Sequence, residues 1–133
     1  MGDVSTSEAC HRWTKTSGSP DVPTPLIHDG LVYLCDEGGL LTCLDATTGE
    51  EYYSKRRMHV DRHRASPVYV DGKILLTARD GTITVVRAGK EFEILASNDM
   101  GESMSSSPIV SNGTMYLRTF DALYAIRQAG KTE

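Results

Sequence analysis

The chain lacks the long apolar run, the basic charge and the paired cysteines that would indicate a membrane span, nucleic acid binding or a metal site. No apolar stretch approaches the roughly 18 residues that a membrane-spanning helix needs. The net charge of −4 argues against nucleic acid as the main partner. Cys10, Cys35 and Cys43 form no CxxC motif, which disfavours both a disulfide framework and a zinc site. We interpret Cys35 and Cys43 as buried free thiols.

Two further absences concern targeting and helices. Residues 1–10 are polar and have no apolar core, so they do not resemble a signal peptide, and the compartment stays unknown. No stretch keeps a helical apolar period for about ten residues. The chain is therefore predicted to be all-β.

A repeat of about 42 residues is the dominant feature of the sequence. Each copy opens with a hydroxyl residue and a proline, continues as a short apolar run and reaches an Asp-Gly or Asn-Gly pair. The prolines are Pro25, Pro67 and Pro108, and the pairs are Asp29-Gly30, Asp71-Gly72 and Asn112-Gly113. Such pairs between apolar runs predict type I′ hairpins, which need positive φ at both positions. A period of this length built from short strands is typical of propeller blades.

The repeats divide into predicted strands as four, four and three. The strands are 26–28, 31–35, 40–44 and 50–54, then 67–70, 73–77, 82–86 and 91–96, then 108–111, 114–118 and 122–126. We therefore predict a partial β-propeller of three four-stranded antiparallel blades. The blades cover about residues 24–55, 65–97 and 106–127.

The third repeat has no fourth strand of its own, and residues 9–15, anchored by Trp13, offer a spare one. Three blades do not close a ring, since propellers have about 4–8 blades, and folded proteins avoid bare strand edges. We expect strand 9–15 of one chain to complete the third blade of another, so that a homodimer closes a six-bladed ring. The alternative is that the chain is the last part of a longer propeller. Residues 1–8 are predicted to be a disordered tail, and residues 128–133 a second tail.

The repeats resemble those of the PQQ-like, quinoprotein-type β-propeller family. The shared pattern is Ser-Pro, an apolar strand, Asp/Asn-Gly, a second strand, a Gly turn and a Leu-Asp…Thr-Gly segment, which residues 40–49 follow best. In the family a Trp commonly follows this Thr-Gly. Tyr53 has that place here, and Trp13 is interpreted as its equivalent on the lone strand. The resemblance covers residues 13–127, and the last repeat is similar to the C-terminal blade of bacterial members.

This resemblance implies the propeller fold without a cofactor. Quinoprotein dehydrogenases of the family carry a vicinal cysteine pair and calcium-binding acidic residues around the quinone. The present chain has no Cys-Cys pair and no acidic cluster that matches. PQQ and calcium are thus expected only by resemblance and are not supported by residues. Scaffolding members of the family bind partners with no cofactor, and members are often exported bacterial proteins.

The densest polar stretch, residues 55–64, joins the last strand of the first repeat to the second repeat. In a propeller this link shares a face with the turns at 36–39, 78–81 and 119–121. Cationic groups beside acidic turns predict a face for a small anionic ligand or a protein. The candidate residues are Arg57, His59, Arg62, His63 and Arg64 of the link, with Asp36 and Asp80 of the turns. The alternative is a solvated loop whose arginines pair with Asp36, Glu37 and Asp80.

Two patterns that resemble catalytic or metal sites have simpler interpretations. His59, Asp61 and His63 have a spacing that puts side chains on one face of an extended segment, but the flanking arginines would repel a cation. Residues 103–107 are rich in serine but contain no G-x-S-x-G elbow, so we interpret them as a link between blades.

The sequence supports a non-catalytic scaffold or binding module that self-assembles, because its repeats carry no catalytic constellation. The ligand is not identified. The alternative is a fragment of a larger PQQ-dependent quinoprotein dehydrogenase whose active site lies in other blades. A purely structural repeat without a ligand is the third possibility.

Overall fold

The computed structural model describes residues 11–127, which form eleven strands in three antiparallel sheets. Blade 1 contains β1 (Leu26–His28), β2 (Leu31–Cys35), β3 (Leu40–Asp45) and β4 (Glu51–Arg57). Blade 2 contains β5 (Val68–Val70), β6 (Lys73–Thr77), β7 (Thr82–Arg87) and β8 (Ile94–Asp99). Blade 3 contains β9 (Ile109–Ser111), β10 (Thr114–Arg118) and β11 (Leu123–Arg127). Neighbours in each sheet follow chain order, so the predicted all-β meander is confirmed.

The first hairpin of every blade turns as predicted. Both residues of each turn have positive φ, as a type I′ turn requires. The angles are 50° and 74° at Asp29 and Gly30, 49° and 77° at Asp71 and Gly72, and 50° and 74° at Asn112 and Gly113. These turns set the register of the strands that they join, for example Leu26 opposite Tyr33 in blade 1.

Two strands differ from the sequence prediction by three residues, and five others differ by one residue at one or both ends. β8 begins at Ile94 rather than at residue 91, because the backbone N–H of Arg87 donates to the carbonyl of Glu93 at 2.9 Å and so widens the turn. β4 extends to Arg57 with an irregularity near Lys55, whose φ is 50°. The N–H of Lys55 there donates to Thr42 Oγ1 at 3.0 Å instead of to a backbone carbonyl.

The core lies between the blades. Alternate side chains of a strand point to opposite faces, so the middle blade supplies both interfaces. Ile74 and Leu76 of β6 pack toward blade 1, whereas Leu75 between them packs toward blade 3. Tyr33, Leu41 and Cys43 are among the blade 1 residues at the first interface, and Met104 and Leu117 complete the second. Burial of apolar area at these two interfaces is the main stabilising contribution.

The predicted strand over residues 9–15 is not formed in its described part. Residues 11–15 run as irregular chain, and residues 9 and 10 lie outside the described range, as do the predicted tails 1–8 and 128–133. Blade 3 therefore has three strands among residues 11–127, and β11 keeps one free edge there. Exchange of a strand between chains stays a prediction.

No helix is assigned among residues 11–127, so that part of the chain holds no helical segment with the length and hydropathy of a membrane span.

Candidate functional site

The link between blades 1 and 2 and the β2–β3 and β6–β7 turns lie together on one side of the molecule, which we call the loop face. The backbone N–H of Met58 donates to the carbonyl of Gly39 at 3.0 Å. The backbone N–H of Arg79 donates to the carbonyl of Arg62 at 2.7 Å. The link is therefore tied by its backbone to a turn of each blade that it joins.

Two glycines allow the links to pass close over the turns. Gly39 and Gly81 have φ of 86° and 99°, a region that favours glycine. A Cβ at Gly39 would clash with the carbonyl oxygen of His59, and a Cβ at Gly81 would clash with that of Glu102. Each link thus crosses its turn at a distance that only glycine permits.

The side chains of His59 and Asp80 meet across the two blades, with 2.5 Å between Nε2 and Oδ2. Partial burial raises the pKa of Asp80, but hydrogen bonds from His59 and from the backbone N–H of Thr82 outweigh it, so the pKa lies below its usual value. Asp61 Oδ2 accepts a hydrogen bond from the N–H of Asp80 at 2.8 Å. The carboxylates of this face are therefore held by the loops themselves.

His63 lies beneath the loop face rather than on it, with 0% of its surface exposed. Its Nδ1 donates to the carbonyl of Asp61 at 2.9 Å, and its Nε2 is buried with no hydrogen-bond partner in the described chain. Burial lowers the pKa of His63, an effect larger than the opposing one of the Asp61 carbonyl. His63 is therefore neutral at physiological pH and is not part of an exposed cationic surface.

The arginines of the link remain open to solvent. Arg57 donates from its guanidinium to the carbonyl of Gly38 at 2.6 Å, and Arg62 and Arg64 are exposed. None of the three belongs to an ion pair within residues 11–127, where Asp80 pairs with His59 instead. The arginines of the link therefore do not form the predicted ion pairs with Asp36, Glu37 and Asp80. Exposed unpaired guanidinium groups are suited to an anionic partner.

The acidic and imidazole groups of the loop face do not assemble into a metal site. Within the described residues no three His, Cys, Asp or Glu side chains come together in a way that could hold a metal ion.

The two described cysteines are interior thiols, as predicted. Cys35 and Cys43 are free and fully buried between blades 1 and 2. Burial raises the pKa of Cys35 to about 12 and that of Cys43 to about 11. Because the thiolate is the reactive form, neither group is suited to nucleophilic chemistry.

A second set of residues connects the blades, and sequence reasoning did not identify it. The N–H of Thr24 donates to Ser66 Oγ at 2.9 Å, and the N–H of Ser66 donates to Ser107 Oγ at 2.8 Å. We call these three residues the pre-proline ladder, because each stands immediately before a repeat proline. That recurrence of a hydroxyl residue was the signal available in the sequence.

One side of blade 3 is open to solvent and carries exposed apolar side chains together with Arg118 and Arg127, and we call it the open face. Its residues Ile109, Tyr116 and Leu123 are 66%, 41% and 68% exposed. Tyr116 of β10 pairs with Ile109 of β9, and Arg118, two residues further along β10 on the same side, pairs with Leu123 of β11. The other side of the same sheet is buried against blade 2 through Leu117.

The corresponding residues of blade 2 show what such a face does when it is covered. Leu75 has the place of Tyr116 in its hairpin, and Ile83 that of Leu123. They are 8% and 3% exposed, because blade 3 packs over them. The open face of blade 3 thus has the position of the surface through which blade 2 contacts blade 3, with Arg118 in the place of the buried Thr77.

Trp13 packs on blade 1 at the turn after β3. Its Nε1 donates to the carbonyl of Ala46 at 3.0 Å, and its ring lies so close to Gly49 that a Cβ there would be 2.8 Å from Cδ2. Tyr53 of β4 reaches blade 2 in a comparable way and meets Phe92 with 5.4 Å between ring centroids. Trp13 therefore occupies on blade 1 the kind of position that an outermost-strand residue of the preceding blade occupies.

Comparison with known families gives one match that covers nearly the whole chain. A family model described as outer membrane protein assembly factor BamB matches residues 4–131. A comparison with curated protein sequences gives no match.

Solved structures with the same fold include natural and designed proteins. BamB from Moraxella catarrhalis has a TM-score of 0.69 at 19% identity, over 86% of this chain and 36% of that one. The computationally designed Ika4 protein has a TM-score of 0.65 at 18% identity, over 77% of this chain and 63% of that one. Quinohemoprotein alcohol dehydrogenase from Comamonas testosteroni has a TM-score of 0.58 at 18% identity, over 75% of this chain and 17% of that one. The chain thus spans about a third of BamB, and at these identities the likeness concerns the fold.

Proposed function

The chain belongs to the PQQ-like repeat β-propeller family whose model is described as outer membrane protein assembly factor BamB, and from this membership we propose that it is a non-catalytic propeller scaffold that self-assembles into a closed ring. The family description supports this proposal, since it names a role in assembly rather than a reaction. The specific partner is not identified by it.

The observation that carries self-assembly is the open face. Three large apolar side chains exposed on one face of a sheet favour a site of protein association. Blade 1 carries a matching apolar residue on its outer side, since Ile27 is 67% exposed and pairs with Val32 on the side that faces away from blade 2. A second copy would place its blade 1 against the open face, and the same contact repeated once would close a ring of two copies.

The loop face is the surface that such a ring would leave for a partner. Arg57, Arg62 and Arg64 would be present in each copy on the same side of the ring. We assign them the binding of an acidic protein segment or a small anionic group. Their lack of ion pairs within residues 11–127 supports this role.

The scaffold is tested by substituting Leu123→Lys and following association by sedimentation velocity. Leu123 is largely exposed in the single chain, so the variant should fold. In the junction the substitution would remove about 2 kcal/mol of apolar burial and introduce an unpaired charge. We expect the wild-type chain to associate and the variant to sediment as a monomer.

Val60→Lys is the matched control, because Val60 is as exposed as Leu123 but lies on the loop face. It should associate like the wild type. Association of the Leu123 variant at wild-type strength would contradict the proposal. Turnover of an alcohol by the chain with added quinone and calcium would instead favour the dehydrogenase alternative.

A further inference from the structure

The pre-proline ladder repeats one hydrogen bond at each blade junction. In both junctions the donor is the backbone N–H of the residue before a proline, and the acceptor is the hydroxyl of the equivalent residue in the next blade. The donor-acceptor distances agree, at 2.9 Å from Thr24 to Ser66 and 2.8 Å from Ser66 to Ser107. The proline that follows restricts each residue to extended backbone, which explains why the geometry recurs.

The ladder is incomplete at both of its ends. The N–H of Ser107 has no hydrogen-bond acceptor among residues 11–127. At the other end, Thr24 Oγ1 accepts no hydrogen bond from the described part of the chain, although the N–H of Thr24 is used. One end therefore offers a donor and the other an acceptor, each of the kind that its neighbours already use.

We propose that the N–H of Ser107 in one copy donates to Thr24 Oγ1 of a second copy, so that the ladder continues around the whole ring. This inference rests on the proposed self-assembly and specifies its junction. The occupant of the open face is then blade 1 of an identical chain. It continues an interface that the chain already forms twice.

The neighbouring side chains agree with this assignment. Ile109 of the open face stands two residues after Ser107, and the exposed Ile27 stands three residues after Thr24. The open ends of the ladder thus adjoin the apolar surfaces that the junction would bury. Polar and apolar parts of the contact lie in the same order as at the two internal junctions.

The ladder also selects the orientation of the two copies. If two copies met through blade 3 on both sides, each Ser107 N–H would face another donor and would lose its water without gaining an acceptor. A head-to-tail contact pairs donor with acceptor at both junctions of the ring. The ladder thus favours a ring over a face-to-face pair.

Thr24→Ala and Thr24→Ser test the junction by the dissociation constant of the dimer. One hydrogen bond changes an affinity by about fivefold, and the ring has two identical junctions, so Thr24→Ala should weaken the dimer by about 25-fold. Thr24→Ser keeps the hydroxyl and should stay within about threefold of the wild type. Neither variant should alter the thermal unfolding of the dilute chain, because Thr24 Oγ1 has no partner within it.

Ser66→Ala gives the contrasting result, since it removes a bond inside the chain and should lower the unfolding temperature at every concentration. A wild-type chain that stays monomeric would overturn the self-assembly and the junction together. A wild-type chain that associates, with Thr24→Ala unchanged or Thr24→Ser equally weakened, would overturn the junction alone.

A thiol-reactive bifunctional cross-linker gives a second readout of orientation. In a chain that also carries Cys10→Ala, Thr24→Cys combined with Ser107→Cys should yield a covalent dimer, just as cysteines at positions 66 and 107 should cross-link within one chain. Ser107→Cys alone should yield none. A covalent dimer from Ser107→Cys alone would overturn the head-to-tail contact.

Discussion

His63 and Met104 occupy the same place in successive repeats, and they are 0% and 1% exposed. The N–H of each is tied to the turn of the preceding blade, to Glu37 at 2.8 Å and to Arg79 at 2.9 Å. One position is filled by an apolar thioether and the other by an imidazole whose Nε2 has no partner in the described chain. The imidazole is thus tolerated only while it is neutral.

His63→Met is expected to remove part of the pH dependence of stability. Because the folded state keeps the pKa of His63 below its ordinary value of 6.5, the unfolded chain binds this proton first as pH falls. Wild-type stability is therefore unaffected by this group above about pH 6.5 and declines below it, by up to about 1.4 kcal/mol per pH unit. Urea unfolding between about pH 5 and 7.5 measures the effect.

The variant should show a shallower decline over the same range, while carboxylates common to both chains contribute equally. The neighbouring charges are His59, Asp61 and Asp36, and the substitution leaves all three in place. Parallel stability curves for the two chains would contradict the assignment of His63.

At the scale of single residues, the sequence analysis selected His63 but placed it on the loop face, whereas the structure buries it. His63 belongs to a run of charged residues, and nothing local distinguishes it from the exposed Arg62 and Arg64 beside it. Its burial depends on the glycine turn of blade 1, which lies far away in the chain and against which the ring packs. Alignment with Met104 was the one local indication of an interior position.

Strands were predictable wherever a local turn bounds them. β1, β2, β6 and β10 have the predicted bounds, because an Asp-Gly or Asn-Gly pair sets the start or end of each. β8 was misplaced by three residues because its turn is closed by a contact between Arg87 and Glu93 that no residue pattern announces. The region around Trp13 was predicted as a strand from its own residues, but strand formation there requires a partner.

Gly81→Ala and Gly72→Ala separate the cost of a turn from the cost of a close approach. Both glycines have positive φ, at 99° and 77°, which costs an alanine about 1–2 kcal/mol. A Cβ at Gly72 meets nothing within 4 Å, whereas one at Gly81 clashes with the carbonyl oxygen of Glu102. We expect Gly72→Ala to lower the free energy of unfolding by about 1 kcal/mol and Gly81→Ala by about 3 kcal/mol or more.

Urea unfolding of the two variants beside the wild type provides the measurement. If Gly72→Ala and Gly81→Ala lower the free energy of unfolding equally, the link does not lie as close to the turn as described. Gly30→Ala is the control for blade 1, since its Cβ also meets open space.

On the scale of the whole molecule, blade 2 is the only blade with a neighbouring blade on each side among the described residues. The repeat period predicted this arrangement, because similar units pack side by side in a row, so that only the middle one has a neighbour on each side. The hydrogen bonds of the pre-proline ladder could not be predicted from the sequence. Each joins a backbone N–H to a hydroxyl 41 or 42 residues away, and the two groups meet only after the blades have packed. Nor does any residue pattern name the partner of the loop face.

Sedimentation equilibrium of the full chain over a range of concentrations tests self-assembly most directly. Closure of a ring by two copies predicts a limiting mass of two chains, about 29 kDa from a chain of 14.6 kDa. A mass of 14.6 kDa that persists as concentration rises would contradict it.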